Sequence, residues 1–385
     1  MTISEVLTRA VDKVLPSKEG LKKLMEKKKI KLYLGIDPTA TQLHLGHTVP
    51  LRKLQQFADL DHKVILLFGT GTVLVGDPSE RATGRKLITK KEVEKNISTW
   101  KNQVKSIIDF NKIKVEQNGD WLLKLKLEDI IKIASNISAV QLFKRDSFKK
   151  RLEKGDTIWY HETMYPLLQG YDSVHMDVDL EIGGTDQTFN MLVGRELQKK
   201  MNNREKFVLT GKMIMGTDGK KMSKTSNNCI WLTDSAEDMF GKLMRVQDEL
   251  IPDYFEFFTD KPMDEINDLK QNLKSDKINP MEEKKKLALN ITTQFHGQTK
   301  AKTAQTSFEK TFQQQKPEYK TTVAPQATLT ATISETVGST SQAKRLIIAG
   351  AVDINEATIK NPTQTIKVGD KIKIGKKTFL KVKEK

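Results

Sequence analysis

Two short clusters in this sequence carry side chains suited to handling phosphate: His44-Leu45-Gly46-His47 and Lys221-Met222-Ser223-Lys224-Thr225. In the first, two imidazoles stand three residues apart with a glycine between them. At the start of a helix both rings face the same way, the glycine admits a nucleotide close to the backbone, and the helix N-terminus favours an anion. Two metal ligands would look the same, but a metal needs a third, and none of the other four histidines stands in a supporting motif. In the second, lysines follow Gly216 and Gly219 on a loop. That form suits a mobile clamp for charge developing on phosphate, and a solvated basic loop would share it.

The elements that must position these residues follow from periodicity. Lys31 to Ile36 alternates polar and apolar residues and breaks at Asp37-Pro38-Thr39, a strand entering a loop. Val49, Leu51, Leu54 and Phe57 have helical spacing, and Val64 to Phe68 is a continuous apolar run typical of a strand buried on both faces. Strand, loop, helix and strand within about forty residues make a βαβ unit, whose ligands sit beyond the carboxyl ends of the strands. The fold class is therefore α/β, with a Rossmann-like parallel sheet in residues 1–230. Gly69 to Arg85 reads as a long loop at the same edge, and residues 90–160 as a helical insertion. A second half returns at Leu180-Glu181-Ile182, followed by glycines and a helix from about Thr188 to Lys199. Residues 231–312 read as a helical domain and 313–327, polar with two prolines, as a linker. Residues 328–385 form a small basic domain with a helix over Ser341–Ala349 and short strands through Ile366, Ile372, Ile374 and Phe379.

Composition limits the function classes. The formal charge of +16 fits a polyanionic partner, and a lysine-rich, AT-biased genome would also produce it. Its placement favours the first reading in part, since residues 331–385 hold 11 Lys/Arg against 5 Asp/Glu. Cys229 is the one cysteine, which rules out an internal disulfide framework or thiolate zinc site. The N-terminus lacks an apolar signal core and no run approaches a membrane span, so a cytoplasmic location is expected, without a membrane partner.

The two clusters in this order on a βαβ framework resemble the signatures of class I aminoacyl-tRNA synthetases. Further segments narrow the resemblance: Tyr33-Leu34-Gly35-Ile36-Asp37-Pro38-Thr39, Gly76-Asp77-Pro78-Ser79, Tyr165 to Asp172 and Gly183-Gly184-Thr185-Asp186-Gln187 look like the tyrosyl-tRNA synthetases of bacteria. The segments Ser341 to Ile347 and Val368-Gly369-Asp370 are similar to the S4 RNA-binding domain that ends those chains. The resemblance spans nearly the whole sequence. It implies activation of L-tyrosine with ATP and Mg²⁺, transfer to tRNA(Tyr), and a homodimer.

The resemblance also assigns roles. Tyr33 and Asp172 would meet the phenol hydroxyl of tyrosine. A site built for a hydroxyl rejects the analogue lacking it, and this family is itself the usual illustration of that rule. Tyr165, Gln169 and Asp172 are spaced i, i+4, i+7 on one helical stripe, and with Asp77 would surround the substrate ammonium. Gln187 would lie near the substrate carboxylate. Asp186, Gly183 and Gly184 would take the ribose, and Asp37, Gly46, Ser223 and Thr225 would complete the ATP site. Thr39 and His44 would hold the γ-phosphate, His47 the ribose or bridging region, and Lys221 and Lys224 the departing pyrophosphate. Lys344 and Arg345 would contact RNA, and no protein-bound metal is expected. The chain departs from the family pattern at Glu80, at Thr225 and in Gly69 to Val73. Tryptophanyl-tRNA synthetase is the nearest rival, disfavoured by the Tyr33/Asp172 pair and the S4-like tail. A non-catalytic RNA binder and a small-acid nucleotidyltransferase are the others.

Overall fold

In the computed structural model, residues 1–385 are described except 79–88, 225, 227, 314–318, 324–327, 376–377 and 384–385. Ser79, Glu80 and Thr225, singled out above, lie outside the described residues, as does much of the expected linker. The chain divides into two units, Met1–Ala301 and Lys302–Lys385.

The first unit is built on a six-stranded sheet ordered β1-β6-β5-β2-β3-β4. Its strands are β1 (Val11–Leu15), β2 (Lys31–Ile36), β3 (Lys63–Phe68), β4 (Ile113–Gln117), β5 (Leu180–Gly184) and β6 (Phe207–Gly211). All neighbours run parallel except β1 against β6. The central strands β2, β3 and β5 are largely buried, as their apolar runs require. The change of strand order lies between β2 and β5, whose register pairs Tyr33 with Glu181, so both side chains leave the same face. Helix Thr48–Ala58 buries Val49, Leu51, Leu54 and Phe57, the stripe read from the sequence.

Three boundaries differ from the expectation. Strand β4 lies within the stretch read as a helical insertion, so residues 90–117 form an ordinary helix-to-strand crossover of the sheet, and the extra helices follow it. As an edge strand with polar residues on one side, β4 has too short an apolar alternation to stand out. Residues 231–301 belong to the first unit rather than standing alone. The buried Arg9 guanidinium donates to the carbonyls of Phe255, Glu256, Thr259 and Lys261, capping the end of helix Ile251–Phe258 from the N-terminal segment. Finally, Lys320–Val323, inside the expected linker, is a strand.

That strand, β7, edges the sheet of the second unit, ordered β7-β11-β10-β8-β9 with β8 (Val352–Ile354), β9 (Ala357–Thr358), β10 (Lys371–Ile374) and β11 (Thr378–Lys383). Helices Leu329–Val337 and Thr340–Ile348 pack Leu329, Ile333, Ala343 and Ile347 against Ile372, Leu380 and Val382. In β10 the alternation is clean: Ile372 and Ile374 turn inward, Lys371 and Lys373 outward.

Candidate active site

The two signature clusters meet. His44 forms an antiparallel bridge with Trp231, flanked by Leu45 N–H donating to Ile230 O (2.8 Å) and Leu232 N–H donating to Leu43 O (2.9 Å). The segment that follows the lysine loop is thereby sewn to the histidine loop. A Cβ on Gly46 would stand 3.0 Å from the His44 ring and 3.2 Å from Met222 Sδ, so glycine there lets the two loops approach. The loop itself doubles back by a bridge between Met215 and Lys221, turning at Gly219 with φ +76°. Buried Asn228 accepts from the Ser223 amide through Oδ1 (3.0 Å). Lys221 and Lys224 extend from this loop to the surface.

The two imidazoles lie 3.8 Å apart between ring centroids. Burial, then His47 and Lys224, lowers the His44 pKa to about 2; burial, then Lys224, lowers that of His47 to about 4. Both rings are neutral at pH 7 and act as hydrogen-bonding groups rather than cations. His47 Nδ1 lies 3.2 Å from both the amide and the carbonyl oxygen of His44, accepting from the first in one tautomer and donating to the second in the other. His44 Nδ1 is buried with no hydrogen-bond partner among the described residues. A side chain so placed has a hydrogen-bonding nitrogen to spare for a ligand, as donor or acceptor according to its tautomer.

Beyond the carboxyl ends of β2, β3 and β4, a chain of hydrogen bonds crosses the site. Tyr165 Oη donates to Asp37 Oδ2 (3.0 Å), and Thr72 Oγ1 to Asp37 Oδ1 (2.7 Å). Asn118 Nδ2 donates to Thr72 Oγ1 (3.1 Å) and to Asp172 Oδ2 (2.9 Å), and Trp121 Nε1 to Asp172 Oδ1 (2.8 Å). Tyr165 and Asp172 come from helix Tyr160–Met176, as their spacing required. Asp172 is 2% exposed; burial pushes its pKa well up, against the pull of Asn118 and Trp121. Tyr33, fully buried, does not bond Asp172; its hydroxyl lies 2.9 Å from Ser173 Oγ. Asp37, expected at the nucleotide, is engaged by Tyr165 and Thr72.

Asp77 accepts from Gln187 Nε2 (2.7 Å) and pairs with the buried Arg145 guanidinium (3.2 Å), so two residues expected at opposite ends of the substrate α-carbon touch each other. Gln187 Nε2 also reaches Asp186 Oδ2 (3.0 Å). The Gly183–Gly184 turn is tight for internal reasons: a Cβ would stand 2.8 Å from Met191 Sδ at Gly183 and 2.5 Å from Asp186 Oδ1 at Gly184. Thr39 lies half-buried in the loop after β2, its amide donating to Asp37 O (2.8 Å). Lys344 and Arg345 are exposed on helix Thr340–Ile348 of the second unit.

Sequence reasoning passed over Thr72, Asn118, Trp121, Arg145, Ser173, Glu181 and Lys206. Two signals were readable: Glu181 is a lone charge in an apolar strand, and Asn118 to Trp121 sits just past the carboxyl end of β4. Nothing local marks Lys206, whose partner is far away in the chain.

With this geometry in hand, likeness to known proteins decides the family. The family model for class I tRNA synthetases of the W and Y type matches residues 25–313. Tyrosine–tRNA ligase of Carboxydothermus hydrogenoformans is 39% identical, over 98% of this chain and 97% of that protein. The chain belongs to the tyrosine–tRNA ligases of class I. A further ligase of this name, from Mannheimia succiniciproducens, is 40% identical over 98% of this chain and 97% of its own. Among solved structures, a C-terminally truncated mitochondrial tyrosyl-tRNA synthetase of Aspergillus nidulans superposes with TM-score 0.68 at 21% identity, over 80% of this chain and 94% of that one. The enzyme of Archaeoglobus fulgidus, complexed with L-tyrosine, gives 0.64 at 20%, over 79% and 100%. At those identities the structural likeness speaks for the fold, which is that of the class I synthetases.

Proposed function

We propose that this member of the family activates L-tyrosine with ATP and loads it onto tRNA(Tyr), using the residues assembled at the carboxyl ends of β2, β3 and β5. The observation that carries this is the seam between the two signature loops, which brings Lys224 close enough to lower the pKa of both His44 and His47. The tyrosine carboxylate attacks the α-phosphorus of ATP; the new carboxyl–phosphorus bond forms as the bond to the β-phosphate bridging oxygen breaks. Tyrosyl-adenylate remains and pyrophosphate leaves. A hydroxyl of the tRNA terminal adenosine then attacks the activated carbonyl and expels AMP.

No covalent enzyme intermediate is needed, so the side chains act by position and charge. Lys221 and Lys224, with Ser223, meet the leaving pyrophosphate. His44, His47 and Thr39 donate to phosphate and ribose oxygens as neutral groups, and each such donor is worth roughly 2–4 kcal/mol in the transition state. Gly46, Asp186 and the Gly183–Gly184 turn border the nucleotide. Mg²⁺ enters as part of the substrate, MgATP; among the described residues no cluster of three carboxylates, imidazoles or thiols forms a metal site of its own.

For tyrosine, Asp172 accepts a hydrogen bond from the phenol hydroxyl and Tyr33 donates one to its oxygen, while Asp37, Asp77, Tyr165, Gln169 and Gln187 frame the ammonium and carboxylate. Phenylalanine would leave these buried groups unpaired. Residues 328–385, with Lys344 and Arg345 exposed, serve as the RNA-binding domain. The working form is a homodimer in the cytoplasm; among the described residues no helix is long and apolar enough to cross a membrane. Exchange of labelled pyrophosphate into ATP tests the reading: tyrosine should drive it and phenylalanine and tryptophan should not, whereas exchange driven by tryptophan overturns the specificity.

A further inference from the structure

Beneath the expected tyrosine site lies a fully buried ion pair that none of the chemistry above uses. Lys206, just before β6, and Glu181, in β5, are 0% and 2% exposed and in direct contact. Isolated charges at that depth are expensive, so the pair exists only because each member is also hydrogen-bonded. Lys206 Nζ donates to Ser173 Oγ (2.7 Å), and Ser173 Oγ lies 2.9 Å from the Tyr33 hydroxyl. The other carboxylate oxygen of Glu181 accepts from Gln169 Nε2 (3.0 Å). Space for the ammonium is reserved by Gly194, where a Cβ would stand 2.7 Å from Lys206 Nζ and 3.0 Å from Ser173 Oγ. Gly170, one turn before Ser173, packs against Gly194 so closely that its Cβ would meet the Gly194 backbone at 3.2 Å.

Donor and acceptor rules then fix two orientations. A carboxylate only accepts, so Gln169 must turn its NH₂ toward Glu181, which aims its oxygen the other way. That oxygen, Oε1, is buried with no hydrogen-bond partner among the described residues. An ammonium only donates, so Ser173 accepts from Lys206 and has its own proton to give. The Tyr33 oxygen at 2.9 Å is a nearer recipient than Glu181 Oε2 at 3.4 Å. Tyr33 therefore accepts from Ser173 and has its own proton to give, with Glu181 the acceptor within reach until a ligand offers another.

We propose that Glu181, Lys206 and Ser173 are positioning residues that set both ends of the tyrosine site: the Glu181–Lys206 pair presents Gln169 Oε1 to the substrate ammonium, and through Ser173 makes Tyr33 a donor to the substrate phenol oxygen. This rests on the tyrosine reading above. It divides the phenol's two hydrogen bonds between Tyr33, which gives, and Asp172, which receives.

Pyrophosphate exchange by full-length Ser173→Ala and by the double variant Glu181→Leu with Lys206→Met tests it, the second replacing the pair by apolar groups rather than stranding one charge. In Ser173→Ala, the preference for tyrosine over phenylalanine in kcat/KM should fall about tenfold, mostly through the KM for tyrosine, with the KM for ATP within about twofold of wild type. In the double variant the preference should fall as well. There 3-(4-hydroxyphenyl)propionate, which lacks the ammonium, should be disfavoured relative to tyrosine by less than in the wild type, because Gln169 is free to turn, and an unchanged ratio would count against the role of the pair at the ammonium. A Ser173→Ala enzyme with lowered thermal midpoint and the wild-type preference would reduce these residues to packing and overturn the proposal, even if the double variant fails to fold. Wild-type exchange driven by tryptophan would instead overturn the underlying reading, so the two failures are told apart.

Discussion

At the scale of single residues, the histidines of the proposed site act through hydrogen-bond direction and its lysines through charge. The paired imidazoles are neutral at pH 7, because burial and the nearby Lys224 ammonium both oppose protonation. Pyrophosphate exchange should therefore show no inflection near pH 6.5 attributable to His44 or His47, and a pH profile with such an inflection that vanishes in His47→Asn would contradict this. Stability has a matching sign. Below about pH 6.5 unfolded histidines take up protons that the folded rings refuse until about pH 4 for His47, so stability falls as pH drops through that window. Urea midpoints measured at pH 7 and pH 5 should differ less in His47→Asn than in wild type. Replacing Lys224 by alanine should lower kcat by about a hundredfold, with the KM for tyrosine little changed, since the charge it meets develops in the transition state. The types and spacing of these residues were legible because chemistry forces them close in sequence: the histidine pair, the lysine pair, and the Tyr165–Gln169–Asp172 stripe. Their hydrogen-bond partners were not, because Asn118, Glu181 and Lys206 lie in or beside separate strands that only folding brings together.

Among the elements, the core strands were readable and the edges were not. β2 and β3 begin and end within a residue of where alternation and apolar runs put them, because strands buried on both faces leave no choice of residue. β1, β4 and β7 stand at the edges of their sheets and carry mixed sequences, so their pairing is decided by neighbours far along the chain. No division falls at residue 231: a buried arginine and the Ala10 amide, which donates to Glu256 Oε1, tie the N-terminal segment to helix Ile251–Phe258. Arg9 donates to four backbone carbonyls, none of which has an obvious sequence signature. Arg9→Met should therefore destabilise the first unit by roughly 2–4 kcal/mol, as carbonyls are left without donors while the aliphatic volume is kept. A urea unfolding midpoint unchanged from wild type would show that water replaces the guanidinium at no cost.

For the whole molecule, the question is how two units share one reaction. The residues proposed for catalysis all lie in Met1–Ala301, and the second unit has its own apolar core around Ile333, Ile347, Ile372 and Leu380, so each has the means to fold by its own contacts. The second unit also presents Lys344, Arg345, Lys371 and Lys373 to solvent, the kind of surface that holds a phosphate backbone by counterion release. Removal of residues 314–385 should then leave tyrosine-dependent pyrophosphate exchange within about threefold of the full chain, while lowering kcat/KM for tRNA charging by at least a hundredfold, equivalent to a few lost phosphate contacts. Charge reversal at Lys344 and Arg345 should reproduce part of that loss and flatten its dependence on salt, since each phosphate contact removed takes about one unit from the slope of log affinity against log salt. Exchange lost together with charging would mean that the first unit needs the second to fold or to activate tyrosine. Charging retained by the shortened chain would mean that the first unit alone recognises the tRNA, and the positive charge of the tail would then require another explanation.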